Sequence, residues 1–429
     1  MKTIHSIVFL VALLMLPPAA FAYPIDGTAV TGIERLEGYR QAQINKTRGR
    51  VLPRGARLSS AEVDLRLTSR TEFDVPAMDT DFSRELVALL QELSQGRADD
   101  FGVAVLDLSD IKHPVYAEHH ADKPFSPGSV GKLGVAMGVF QALAKAYPDD
   151  INARKRVLHD SQVVADEFIR HDHHKVPFFE PQSQRLYSRK LREGDKANLW
   201  SYLDWMLSAS SNAAASMSIK HMMMLSQFGR DYPPGRDEEK DFFSHTPRAK
   251  LGEVLARAFR DGVDASGLNS KRFRQGSFFS AEGKRRVPGQ RSYATPRELI
   301  RFLLHLEQGK VVDDFSSREI KRLLYITQRR IRYASSPALY DAALYFKSGS
   351  YYRCRSEAGF RCRKYRGNVL NLLNSVAIVE SPAGKPGGLF YMVVMTSNVL
   401  KENAAVLHQS IGTRLHRLIK RRHATSTRP

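Results

Sequence analysis

The stretch KPFSPGSVGKLGVAMGVFQAL, residues 123–143, sets a lysine inside an almost wholly apolar run, and this constrains the fold more than any other feature. The turn at Pro127-Gly128 predicts a helix start, and the apolar residues after it predict a buried helix. Ser129 and Lys132 stand at i and i+3, so they share one helical face. A buried ammonium without a partner is costly and tends to lose its proton. The fold must therefore either give Lys132 a structural partner or use it as a base, and Ser129 is the hydroxyl within reach. The same spacing recurs at Ser109 and Lys112, but in a polar turn with neither helix nor burial, where it reads as a solvated hairpin turn.

Around this helix the signals order themselves from Asp81 onward. FSRELVALLQELSQG spaces Leu86, Leu89, Leu90 and Leu93 as an amphipathic helix ending at Gly96. FGVAVLDL and PVYAEHH read as strands joined by a polar turn, followed by a long, largely helical middle. Later, ALYF, NSVAIVES and GGLFYMVVMTSN read as strands, and ENAAVLHQSIGTRLHRLI as a closing helix. The expected architecture is α+β, an antiparallel sheet flanked by helices with an all-helical lobe beside it. Its α/β lobe spans 81–125 and 290–425 and its helical lobe 126–289, within a domain of 81–425. Residues 23–80 read as a polar, basic extension packed on this body.

The chain opens MKTIHSIVFLVALLMLPPAAFAYP, with an apolar run from Ile7 to Leu16 and Ala20-Phe21-Ala22 before Tyr23. That is the layout of a cleaved secretory leader, residues 1–22, too short to span a bilayer. The expected location is periplasmic or secreted. A net charge of +20 would suggest nucleic acid in a cytosolic chain. Export argues against that and points to anionic envelope material or a merely soluble basic surface. The two cysteines, Cys354 and Cys362, flank Ala358-Gly359 and read as opposed positions of a hairpin, paired as a disulfide in an oxidising compartment. His171, His173 and His174 raise a metal reading, but without a carboxylate or cysteine framework they read as a solvated loop, and no metal is expected.

Two further segments carry polar residues in telling places. Ser210-Ser211-Asn212 sits at a helix junction, where small polar residues commonly serve as caps. Lys347-Ser348-Gly349 ends the strand ALYF, and its glycine permits close approach to the strand. Taken in order, SVGK, SSN and KSG resemble the S-x-x-K, S-x-N and K-[TS]-G signature of the serine β-lactamase and penicillin-binding-protein superfamily. SYATPRELIRFLLHLEQGKVVDDFSSREIKRLL resembles the T-P helix pair of class A β-lactamases in particular. The resemblance covers roughly residues 81–420. It implies that Ser129 attacks a β-lactam or amide carbonyl, with Lys132 as base or proton relay. Ser210 would shuttle a proton to the leaving nitrogen, and Asn212 would bind the substrate amide and position Lys132. Lys347 and Ser348 would receive a carboxylate at the strand beside Gly349. The backbone N–H groups of Ser129 and Ser350 would form an oxyanion hole, worth about 3–4 kcal/mol per donor. No cofactor is implied; the substrates implied are β-lactams or peptidoglycan peptides.

One departure matters. Class A enzymes carry a glutamate in E-x-x-x-N that activates the deacylating water. The nearest match here, aligned on Asn269, puts Ala265 in its place, with Asp264 and Glu282 off position. Acylation would survive that loss and deacylation would slow. The competing readings are therefore a β-lactamase, a D-alanyl-D-alanine carboxypeptidase or transpeptidase that β-lactams trap, and a non-catalytic wall-peptide-binding module. No G-x-S-x-G elbow surrounds any serine, which disfavours an α/β-hydrolase.

Overall fold

The computed structural model describes residues 26–47, 51–327 and 330–426. The leader-like residues 1–22 lie outside them. Five antiparallel strands make the central sheet: β1 (Phe101–Asp107), β2 (Val115–His119), β3 (Ala343–Arg353), β4 (Leu370–Ser381) and β5 (Leu389–Ser397). Their order is β2-β1-β5-β4-β3. Strands from the two ends of the domain thus meet at its centre, with Phe101 opposite Ser397. Val103 and Val105 face one apolar cluster, Ala104 and Leu106 the other. Burial on both faces explains why these strands read as continuous apolar runs instead of alternating ones.

The helices that position the site are α1 (Arg35–Ile44), α2 (Thr80–Ser94), α3 (Lys132–Ala146), α4 (Leu199–Leu207), α5 (Asn212–Phe228), α6 (Arg248–Ala265), α7 (Pro296–Glu307), α8 (Asp314–Tyr325) and α9 (Ala404–Ser426). In α2 the Asp79 carboxylate accepts the Phe82 N–H at 2.6 Å, and the left-handed Gln95 and Gly96 end the helix. Its Leu86 and Leu90 pack with Leu415 and Ile419 of α9 on one face of the sheet. On the other face α7 packs against β1 and β5, held at its start by Thr295, whose hydroxyl accepts the Glu298 N–H. Beyond α7 lies the helical lobe, in which α3 is packed between α5 and α6. This lobe also carries three short ribbons, pairing 162–164 with 196–198, 176–180 with 185–189 and 273–274 with 293–294. Their polar sequences give no periodic signal, which is why a purely helical lobe was the expectation. Among the described residues no helix is long and apolar enough to cross a membrane.

The segment before Asp81 is fastened into the same core. Ile33, Leu36, Val63 and Leu67 are buried with the helical lobe. Arg35, 2% exposed, forms a bidentate pair with the fully buried Asp204 of α4, at 2.6 and 2.5 Å. Arg35 also donates to the Ile326 carbonyl after α8 at 2.9 Å, so one guanidinium ties three segments together.

The cysteines are joined, Cys354 to Cys362, with their Cα atoms 6.1 Å apart. They are not opposed rungs of a ladder, contrary to the hairpin expectation. β3 ends at Arg353, and the disulfide closes an irregular loop whose turn is held by Phe360 N–H to the Glu357 carbonyl.

Candidate active site

The turn that carries Ser129, a short 3-10 stretch over Gly128–Gly131, runs directly into α3 at Lys132. Two contacts fix it against the sheet. Asn374 of β4 donates through Nδ2 to the Ser126 and Pro127 carbonyls at 2.9 and 3.0 Å, while its Oδ1 accepts the Thr396 hydroxyl at 2.7 Å. At Gly349 of β3, a Cβ atom would lie 2.6 Å from the Pro127 carbonyl oxygen and 2.9 Å from the Ser129 nitrogen. Only glycine lets the strand edge approach the Ser129 turn this closely, which accounts for the third residue of the KSG motif.

Lys132 is fully buried, and its amine is surrounded by acceptors. Nζ lies 2.7 Å from the Ser210 carbonyl, 2.8 Å from Asn212 Oδ1 and 3.2 Å from Ser129 Oγ. Burial disfavours the ammonium and brings its pKa down to about 7, against a partly compensating field from Asp172. A neutral amine has two N–H donors and one lone pair. The two oxygens that can only accept take the donors, and the lone pair is left for the Ser129 hydroxyl. That is the arrangement of a base beside a nucleophile.

The second motif meets the same amine from α5. Ser210 adopts a left-handed backbone, φ +58°, which turns its carbonyl toward Lys132. Its Oγ accepts from Lys347 Nζ at 2.9 Å, so its own proton is free to be given to a leaving group. Lys347, buried at the end of ALYF, also donates to the Ser348 carbonyl at 3.0 Å. Burial, then the charges of Lys132 and Arg332, hold its pKa well below the usual lysine value. Ser129, Ser210, Asn212, Lys347, Ser348, Gly349 and Ser350 all line one cleft of about 640 Å³. The structure therefore gathers every site residue expected from the three motifs.

Several residues of this cleft carry no local sequence signal. Arg332 comes from the segment before β3, in a left-handed conformation with φ +56°. It is 9% exposed and donates to Ser350 Oγ at 2.9 Å and the Tyr365 hydroxyl at 3.1 Å. Its Nε and Nη1 atoms are buried without a partner among the described residues. A guanidinium with idle donors beside Lys347 suits a carboxylate.

The histidine-rich insertion is more than a solvated loop. Asp172 accepts from Ser211 Oγ and the Ala213 N–H, both at 2.9 Å, and so braces the second motif. Its other oxygen meets His174 Nδ1 at 2.6 Å. Burial works against the Asp172 charge, yet the hydrogen bonds from His174 and α5 hold its carboxyl below the ordinary range. His173 and His174 form part of the cleft wall, whereas His171 does not line it.

Ala265, the nearest match to the glutamate position, is not among the residues that line the cleft. Ala265 ends α6, exposed, and Asp264 is exposed beside it. Glu282 is engaged by Arg285 and Arg286. The residue of this region that reaches the Lys132 amine is Phe279, whose ring centroid lies 4.8 Å from Nζ.

Residues 255–419 match the family model described as the beta-lactamase enzyme family. Over that stretch the chain is similar to the β-lactamase enzyme family. Similar solved structures include that of PBP-A, at 12% identity over 81% of this chain and 100% of that chain, with a TM-score of 0.49. A β-lactamase from Chitinophaga pinensis is 15% identical over 80% of this chain and 99% of that one, TM-score 0.47. The TLA-3 extended-spectrum β-lactamase is 13% identical over 79% and 99%, TM-score 0.48. A comparison with curated proteins gives no match.

Proposed function

We propose that this protein is an exported serine acyl-enzyme former, acylated at Ser129 by β-lactams or by wall-peptide amides of the D-alanyl-D-alanine type, and slow to release the acyl group. The observation that carries the reading is the hydrogen-bond set around Lys132 Nζ, with the Ser129 hydroxyl at 3.2 Å as the partner left for its lone pair. Neutral Lys132 takes the Ser129 proton as Oγ attacks the carbonyl carbon. The N–H groups of Ser129 and Ser350 receive the oxyanion. Ser210, held by Lys347, delivers a proton to the departing nitrogen, and the C–N bond breaks. Lys347, Ser348 and Arg332 bind the substrate carboxylate. The leader-like sequence and the disulfide support an oxidising, extracytoplasmic location.

Slow release is supported by Phe279. A phenyl ring beside Lys132 can neither activate nor orient a water. Incubation of the mature protein with a penicillin, followed by intact mass, should give a persistent adduct that is absent from Ser129→Ala. Rapid return to free mass would make the protein a β-lactamase. No Ser129-dependent adduct with penicillins, wall peptides or simple esters would overturn the enzymatic reading and leave the binding module. Phe279→Glu is expected to shorten the adduct lifetime by about 10- to 100-fold, the scale of a positioned general base, measured by the decay of adduct mass. An unchanged lifetime would remove Phe279 as the cause of slow release.

A further inference from the structure

Beyond the cleft, β3 runs into a loop of unusual charge. Between 353 and 366 stand Arg353, Arg355, Arg361, Arg363, Lys364 and Arg366, against a single acid, Glu357. That acid is already engaged by Lys401 and by Asn368, the latter at 2.7 Å. Among the described ion pairs none involves these six cations, and the first five are exposed. The loop is braced by the Cys354–Cys362 disulfide. Asn368 adds a bond from the Arg355 N–H at 3.0 Å and another to the Arg355 carbonyl at 3.1 Å. Such bracing holds like charges together that would otherwise spread apart.

The face continues into the cleft. Tyr351, Tyr352, Lys364 and Tyr365 line the same cavity as Ser129. Tyr351 and Tyr352 are 56% and 39% exposed, large aromatic surfaces left in solvent beside arginines, a combination typical of binding faces.

We propose that this disulfide-braced loop is a docking surface, separate from the acylation site, for an acidic wall glycopeptide polymer. Its arginines engage carboxylates along the polymer and its tyrosines pack on sugar rings, while one peptide branch enters the cleft. A polymer is specified because the charged face lies outside the cavity yet is continuous with it, so its ligand must extend well past the reacting amide. The assignment of the branch rests on the reading of Ser129 above; the docking surface itself does not.

The test compares wild type with R355Q/R361Q/R363Q, positions outside the cleft wall, and with R355K/R361K/R363K, which keeps the charge. The readouts are sedimentation with purified wall sacculi over a salt series and penicillin acylation followed by mass. The glutamine variant is expected to lose roughly tenfold in sacculus binding at low salt and much of its salt dependence, as screened charge pairing requires. Its penicillin acylation should stay within about twofold of wild type, since that step uses no surface charge. The lysine variant should bind sacculi like wild type. Equal sacculus binding by all three proteins would overturn the proposal. So would charge-dependent uptake by phosphatidylglycerol vesicles without charge-dependent sacculus binding, which would assign the face to a membrane. Arginine-dependent sacculus binding by a protein that penicillin fails to acylate would uphold the docking surface while removing the reading of Ser129.

Discussion

Lys132→Met is expected to lower Ser129 acylation by a penicillin by about 10²- to 10⁴-fold, the range lost with a positioned base, and to leave the protein at least as stable as wild type. The two effects have one origin. The amine is fully buried and held near neutrality by that burial, with a pKa brought down to about 7. Methionine fills similar volume without the desolvation penalty. In wild type, acylation should rise with pH and level off above about 7, because only the neutral amine can accept the Ser129 proton. The variant should lose that dependence along with the rate. A thermal melt read beside the pH profile of adduct formation checks both. A large fall in melting temperature, or a pH profile unchanged in shape, would mean that Lys132 is a structural pillar.

Arg35→Ala is expected to destabilise the protein by about 3–5 kcal/mol, because it strands the Asp204 carboxylate in the core. Asp204 lies in α4, which ends at Leu207, three residues before Ser210. Its displacement should therefore also slow acylation, whereas Arg40→Ala, removing a partly exposed ion pair of the same helix, should cost at most about 1 kcal/mol. Arg35→Met combined with Asp204→Leu should recover most of the loss, since neither change then leaves a buried charge alone. Urea unfolding of the four proteins separates these outcomes. Failure of the double variant to exceed the single one would show that the other bonds of Arg35, such as that to the Ile326 carbonyl, dominate.

Much of this molecule was legible because its chemistry is written in short segments. Ser129 and Lys132 announce themselves by one helical turn and an apolar setting, and the strands by runs such as FYMVVM. What could not be read depends on contacts across long separations. Arg332 owes its role to a left-handed backbone and to Ser350 and Tyr365, 18 and 33 residues away. Asp172 serves Ser211, 39 residues on, from a loop without periodicity. Phe279 reaches Lys132 from a basic loop without apolar periodicity. Side chains that work within one turn of helix leave a local pattern, whereas those recruited across the fold leave only composition.

The sheet order carries a consequence for how the protein comes into being. β1 is paired along its whole length with β5, whose last residue lies only 32 positions from the end of the chain. Until that final strand is delivered, β1 lacks a neighbour on one side and β4 has none to join it to the first hairpin. The turn bearing Ser129 leans on β4 through Asn374 and on β3 through Gly349, so its shape too waits for the closing strand. Pairing of such distant segments is slow, because the loop between them must close before any contact rewards it. A chain lacking β5 would thus carry the complete SVGK segment without the two supports that shape its turn.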